Sequence, residues 1–303
     1  MRVPTFGIYQ KSIRHLAESA ARLDRAREQV STGKRVLRPS DDPEAAGVAM
    51  AARAEVEQLT QFRQNTDRAA LFLDMTESSL AAITEQLRKV RTTALQASTA
   101  ALDAGDREAL AQQVERLADR IAGLMNTETG GRYLFGGTLD AAPPFRQAAA
   151  GEPYVYNGNA TRLEMGLAPD LVLPVSVAGS ELVNERSDAA GAPKSLFQTL
   201  ADLAKEIRAA SPTAISARIA DLDVDLGNIT RLRADVGARR NYVELARERL
   251  DATLAQLRTR QSEAEDADLS AALIELQAAE LANQATAGAA ARLAQPTLLD
   301  FLR

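Results

Sequence analysis

Between about residues 44 and 100, apolar residues return every seventh position. Leu59, Thr66, Leu73, Leu80, Leu87 and Ala94 form one series, and Phe62, Ala69, Thr76, Ile83, Val90 and Ala97 a second, offset by three. Together they make the a/d seam of a long helix that lasts about five heptads, far beyond what a single core helix needs. Ser40-Asp41-Asp42-Pro43-Glu44 marks its start. Short side-chain oxygens can cap the free backbone N–H groups, proline suits the first turn, and an acid favours the positive end of the helix dipole.

Asp103-Ala-Gly105-Asp106 reads as a turn that caps a following helix bearing Leu110, Val114, Leu117, Ile121 and Leu124. The short turn predicts an antiparallel helix pair, and the second helix should close near Gly130-Gly131. From about 131 to 190 the pattern breaks up. Tyr154-Val-Tyr156 before Asn157-Gly158 predicts a hairpin turning on Asn-Gly, a pair that tolerates positive φ. Leu171-Val-Leu173 and Val175-Ser-Val177 read as further short strands.

Helical spacing resumes at Ser195 with Leu196, Leu200, Leu203 and Ile207. It continues in a second long helix through Ile215, Ile219, Leu222, Leu226 and Ile229. Val236, Val243, Leu250 and Leu257 then carry the seven-residue spacing onward. The two long heptad regions flank the β-rich stretch, which predicts antiparallel packing. The rod seam would consist of Leu59, Phe62, Leu73, Leu80, Ile83, Leu87, Val90, Val236, Val243, Leu250 and Leu257.

The two ends match each other. Ile13, Leu16, Ala20, Leu23 and Val30 give the first segment an apolar face, and Leu269, Leu273, Leu276 and Leu281 give the last one another. A two-helix pair in water is marginal without further partners, so these arms are expected to complete their packing in an assembly. The predicted fold is mainly α with a small β-rich insertion: a long antiparallel helical rod with paired terminal helices. The expected divisions are an N-terminal arm (1–38), a rod (39–140 and 191–267), a β-rich outward-facing domain (141–190) and a C-terminal arm (268–303).

Composition narrows the chemistry. Aromatic residues make up only 4% of the chain and tryptophan is absent, so the core must be built from Leu, Ile, Val and Ala. A formal charge of −5 argues against nucleic acid as a ligand, because phosphate binding needs a dominant basic surface. There is no cysteine, and His15 is the one histidine, which removes thiol chemistry and leaves a histidine triad improbable. No run is apolar enough to suggest membrane insertion, and the start lacks the apolar stretch of a cleaved signal.

No Walker A, dinucleotide, HExxH or CxxC pattern is present, so no cofactor is expected and the chain does not read as an enzyme. Gly130-Gly131 and Gly136-Gly137 read as loop punctuation, and Asp41 and Asp42 as caps rather than an acid/base pair. Glu263, Glu265, Asp266 and Asp268 lack the calcium-loop spacing and read as a helix break followed by a cap. His15 reads as a solvated or interfacial side chain.

Particular segments carry a family resemblance. The stretch Gln29-Val-Ser-Thr-Gly-Lys-Arg-Val-Leu-Arg-Pro-Ser-Asp-Asp-Pro43-Glu-Ala-Ala46 resembles the N-terminal motif of the bacterial flagellin family. Gly131-Arg-Tyr-Leu-Phe-Gly-Gly-Thr138, Val236-Gly-Ala-Arg239 with Asn241-Tyr, Glu265-Asp-Ala-Asp268 and the closing Gln295-Pro-Thr-Leu-Leu-Asp-Phe-Leu302 resemble further family segments in order. The Gly-Lys-Arg form and the Tyr-Leu-Phe-Gly-Gly segment are nearer to members that join hook to filament than to filament subunits.

The resemblance implies an extracellular structural subunit of the flagellum, exported unfolded through the flagellar type III channel without a cleaved signal peptide. It implies a ring of copies between hook-associated protein 1 and the flagellin filament, with an export chaperone holding the C-terminal helix before secretion. The expected polymerisation interface on the arms is Ile13, Leu16, Leu23, Val30, Leu269, Leu273, Leu276, Leu281, Leu298, Leu299 and Phe301. The nearest alternative is flagellin itself, a filament subunit of the same fold.

Overall fold

The computed structural model describes residues 5–99, 102–139, 142–147, 149, 151–183, 186–187 and 193–294. Seven helices carry most of the described chain: α1 Thr5–Thr32, α2 Pro43–Thr99, α3 Ala104–Met125, α4 Gly179–Val183, α5 Leu196–Arg208, α6 Pro212–Glu265 and α7 Leu269–Ala294. Eight short strands pair as four separate antiparallel hairpins between α3 and α5. The fold is mainly helical with a small β-rich insertion, as the periodicity predicts. The chain divides into two compact units: residues 1–58 with 252–303, and residues 59–251. The first therefore holds both arms together with 39–58 and 252–267, which the sequence groups with the rod.

In the 59–251 unit the seam is closed. Leu73, Leu80, Ile83, Leu87 and Val90 of α2 are fully buried, as are Leu222, Ile229, Val236 and Val243 of α6. Val114 and Ile121 of α3 and Leu203 and Ile207 of α5 join the same core. Polar seam positions are accommodated locally: the Thr66 and Thr76 hydroxyls donate to the carbonyls of Phe62 and Phe72, so neither is buried without a partner. Ion pairs then fix the direction of the two long helices. Arg63 meets Asp251, Glu77 meets Arg233 and Arg91 meets Asp223, each at 2.7 Å. The numbering rises on one helix as it falls on the other, so α2 and α6 run antiparallel within this unit.

Three local expectations are corrected. Helix α3 ends at Met125, before Gly130-Gly131: the Asn126 backbone N–H caps the last carbonyls, and its side chain leaves the helix to bond both the N–H and the carbonyl of Phe145 at 2.9 Å. Gly130 and Gly131, at φ +60° and +79°, instead form the two-residue turn between β1 (Glu128–Thr129) and β2 (Arg132–Tyr133), a conformation glycine adopts without penalty.

The hairpin expected at Asn157-Gly158 turns elsewhere. β4 (Tyr154–Tyr156) pairs with the preceding β3 (Phe145–Gln147) through a loop that uses Gly151 at φ +89°. Gly158 lies against the Tyr156 ring, where a Cβ would come within 2.3 Å of its hydroxyl. Its lack of a side chain serves that close approach, not a turn.

Leu171–Pro174 is strand β6, paired with β5 (Glu164–Ala168), but Val175–Val177 is not a strand. The ladder cannot continue there. Leu163 N–H donates to the Ser176 hydroxyl, and the carbonyls of Pro174 and Ser176 are both taken by the guanidinium of Arg239 at 3.1 Å. The hairpins share the core of their unit. Phe145 packs obliquely against Tyr156 and Phe197, and Phe197 against Tyr154, so four of the few aromatic residues work where helices meet short strands.

Candidate interface of the helical arms

Helices α1 and α7 pack side by side in the first unit. They run antiparallel, since the chain leaving α1 meets the chain entering α7 at a backbone bridge between Lys34 and Asp266. Leu23, Ala26 and Ala272 are buried, Leu16, Val30 and Leu276 are half-buried, and Ser19 is covered to 9% exposure. Small residues let two slender helices approach, but they also limit how much apolar surface the pair can hide.

Much of the remaining apolar surface faces outward. Ile13, Leu269, Leu273 and Leu281 are about half or more exposed, and Ile274 reaches 70%. Ile274 is absent from the sequence-based set, because its neighbours Leu273 and Leu276 satisfy the same stripe. Leu298, Leu299 and Phe301 lie outside the described residues. A cleft of about 500 Å³ opens along the pair, lined by His15, Ser19, Arg22, Glu275, Ala279 and Ala282. Among the described residues, the Ser19 hydroxyl within it is buried with no hydrogen-bond partner, and so is the Asn283 Oδ1 elsewhere on α7. The seam between the arms is thus incompletely packed and incompletely hydrogen-bonded in a single copy.

At the root of the arms the contacts are dense. Helix α1 ends at Gly33, whose φ of +69° turns the chain out of the helix. The N–H groups of Arg35 and Val36 donate to the carbonyl of Glu265, and Ala267 N–H donates to the carbonyl of Gly33. The Glu265 carboxylate accepts from Lys34 Nζ, from Arg53 and from the Gln261 amide, each at 2.8 Å. Its side chain is 9% exposed. Burial pushes the Glu265 carboxyl up, but the hydrogen bonds of Lys34 and Gln261 and the charges of Lys34 and Arg53 outweigh it and hold the group below its usual range.

Two other acids of this region are caps. Asp42 accepts from Ala45 N–H at the start of α2, and that bond, helped by Arg35, holds its carboxyl low. Asp268 accepts from Ser270 and Ala271 N–H at the start of α7, and Asp266 takes the Ser262 hydroxyl. The sequence reading treats Glu265 as part of a helix break and misses its partners Lys34 and Arg53. Each is distant in sequence, and only the closeness of Gln261 and Glu265 on one helix face offers a hint.

The rod-seam residues are now placed. Leu59 and Phe62 are half-buried, and Leu250 and Leu257 are buried along with those of the core above. Among the described residues, no group of three or more His, Asp or Glu side chains is placed to hold a metal ion.

Both ends of the chain match models of one family. The bacterial flagellin N-terminal helical region matches residues 3–140, and the flagellin C-terminal helical region matches residues 219–302. The chain belongs to the bacterial flagellin family. Its members are structural proteins of the flagellum, and this chain shares that role.

Among its relatives, the flagellar hook-associated protein 3 of Escherichia coli is 28% identical over 265 residues, covering 80% of this chain and 81% of that protein. The flagellar filament 30.7 kDa core protein of Treponema maltophilum is 22% identical over 249 residues, covering 82% and 80%. In three dimensions the chain resembles the hook-associated protein 3 structure from Legionella pneumophila with a TM-score of 0.63 at 16% identity, covering 71% of this chain and 98% of that one. That likeness is one of fold. The N-terminal match takes in α1, α2, α3 and the first hairpin, the C-terminal match takes in most of α6 with α7, and the other three hairpins lie between them.

Proposed function

We propose that this chain is a hook–filament junction subunit, built into a ring between hook-associated protein 1 and the flagellin filament through its helical arms. The observation that carries the reading is the arm pair. Leucine and isoleucine side chains stand about half or more in water along α7, beside a cleft with a buried unpaired hydroxyl. Large apolar side chains exposed in this number on one helix are costly in a free monomer and favour association. Arms of neighbouring copies would cover Ile13, Leu269, Leu273, Ile274 and Leu281 and fill the cleft. The long-helix seam would hold the subunit rigid while they do so.

The exposed face of α7 also supports an export chaperone that covers it before secretion, and the absence of cysteine suits passage of an unfolded chain. The extracellular junction would be the final location.

The second reading is a filament subunit, favoured by the Treponema filament relative that matches over a similar span. Assembly separates the two. Purified chain added to hook ends that carry hook-associated protein 1 should add a limited layer and then permit flagellin to grow. Growth of long filaments from the chain alone would sink the junction reading and favour the filament subunit.

A further inference from the structure

Four helix ends come together at the root of the arms: the exit of α1, the first turns of α2, the end of α6 and the entry of α7. One carboxylate joins them. Glu265 binds Lys34 from the segment after α1, Arg53 from α2 and Gln261 from its own helix, while its carbonyl takes two N–H groups from the same post-α1 segment. Ala267, the residue leading into α7, bonds back to Gly33. Arg35 completes the set by bonding the Ala264 carbonyl and, through its other nitrogen, Asp42.

We infer that Glu265 is a positioning residue that latches both arms in one register, so that the roots of α1 and α7 open together when its charge is removed and not one at a time. The physical reason is that this shielded carboxylate binds two cationic partners at once, whereas the other charged tie across the joint, Arg35 to the Ala264 carbonyl and to Asp42, runs through a half-exposed arginine. The backbone bonds across the joint all run between the segment 33–36 and the segment 265–267, and the carboxylate is the group that brings Lys34 and Arg53 to the same place. Charge-assisted hydrogen bonds are the strong ones, and this carboxylate accepts two of them while largely shielded from water. By contrast the ion pair further along the arms, Arg27 with Glu280, is 3.5 Å long and about half-exposed on both sides, where such pairs contribute little.

The charged groups that face the latch are Lys34 and Arg35 from the post-α1 segment, Asp42 just before α2, Arg53 from α2, and Asp266 beyond α6. The inference concerns the single chain and does not depend on the junction reading. If both hold, opening the latch would change the presentation of the two arms to a neighbour in one step.

The test is hydrogen–deuterium exchange of the full chain, followed by peptides over residues 33–42, 262–272 and the helices of the 59–251 unit. Glu265→Gln should speed exchange in both root peptides by similar factors, roughly ten-fold or more, with the 59–251 unit unchanged. Lys34→Gln and Arg53→Gln should each speed both peptides by less. Raising the ionic strength should speed the wild-type roots more than those of Glu265→Gln, whose remaining response comes from the exposed Arg35–Asp42 pair, a difference that a purely steric role would not produce. Glu280→Gln should match wild type throughout.

Acceleration of one root alone, or of neither, would overturn the inference. So would an equal salt response in wild type and Glu265→Gln, or loss of protection across both units. Should Glu265→Gln fail to fold, the paired response of Lys34→Gln and Arg53→Gln decides the matter by the same criterion.

Discussion

Replacing Arg239 tests why a charged residue sits inside the 59–251 unit. Its residue surface is 8% exposed, and its guanidinium bonds the carbonyls of Pro174 and Ser176 at 3.1 Å while pairing with Asp235 one turn back. Arg239→Met keeps much of the apolar stem but leaves both carbonyls short of a donor. Hydrogen bonds to charged groups contribute about 1.5–3 kcal/mol each, so losing two predicts about 3–6 kcal/mol of local destabilisation.

The reporter is the Val175 amide, which donates to the Leu163 carbonyl at 2.8 Å in the segment that Arg239 pins. Its exchange should quicken by on the order of 10²–10⁴-fold, since each ~1.4 kcal/mol is a factor of ten. Arg239→Lys, with a single ammonium in place of the fork, should recover less than half of that protection. The reasoning would be refuted if Arg239→Met left Val175 exchange within about three-fold of wild type, or if lysine restored it fully.

Acid should loosen the arm root before the seam of the long helices. Glu265 and Asp42 both have carboxyls held below their ordinary values of 4.5 and 3.8. Their contribution is therefore complete above those values and is lost as pH falls through the lower folded ones, which exchange of the 33–42 peptide across a pH series would follow. In the seam, Ile83→Ala removes a fully buried side chain and should cost about 2–5 kcal/mol in denaturant unfolding; a loss below about 1 kcal/mol would show that the seam collapses around the gap. Gly131→Ala places a Cβ at φ +79° and should cost about 1 kcal/mol or more, despite open space around the position, because the penalty lies in the backbone.

Much of the fold is legible along the chain because helices are local. The seven-residue spacing marks α2 and α6, Asp103 and Ser195 sit where caps are needed and do cap α3 and α5, and Pro43 opens its helix. The hairpins are less legible. Asn157-Gly158 has the composition of a turn, yet Gly158 is used for a ring to pass close by, and the turns fall on Gly130-Gly131 and Gly151 instead. Short strands take their partners from whatever lies opposite, and a distant arginine can end a ladder by claiming its carbonyls.

At the arms, the sequence by itself determined the apolar stripes, the acidic break after α6 and the family to which both ends belong, since each of these is a matter of local spacing or motif. The tertiary structure alone decided which of those stripes stay in water and which acid is a cap and which a clasp. Asp42 and Asp268 find backbone N–H groups within three residues of themselves. Glu265 finds Lys34 and Arg53 more than two hundred residues away, and only folding brings such charges within bonding distance of one shielded carboxylate.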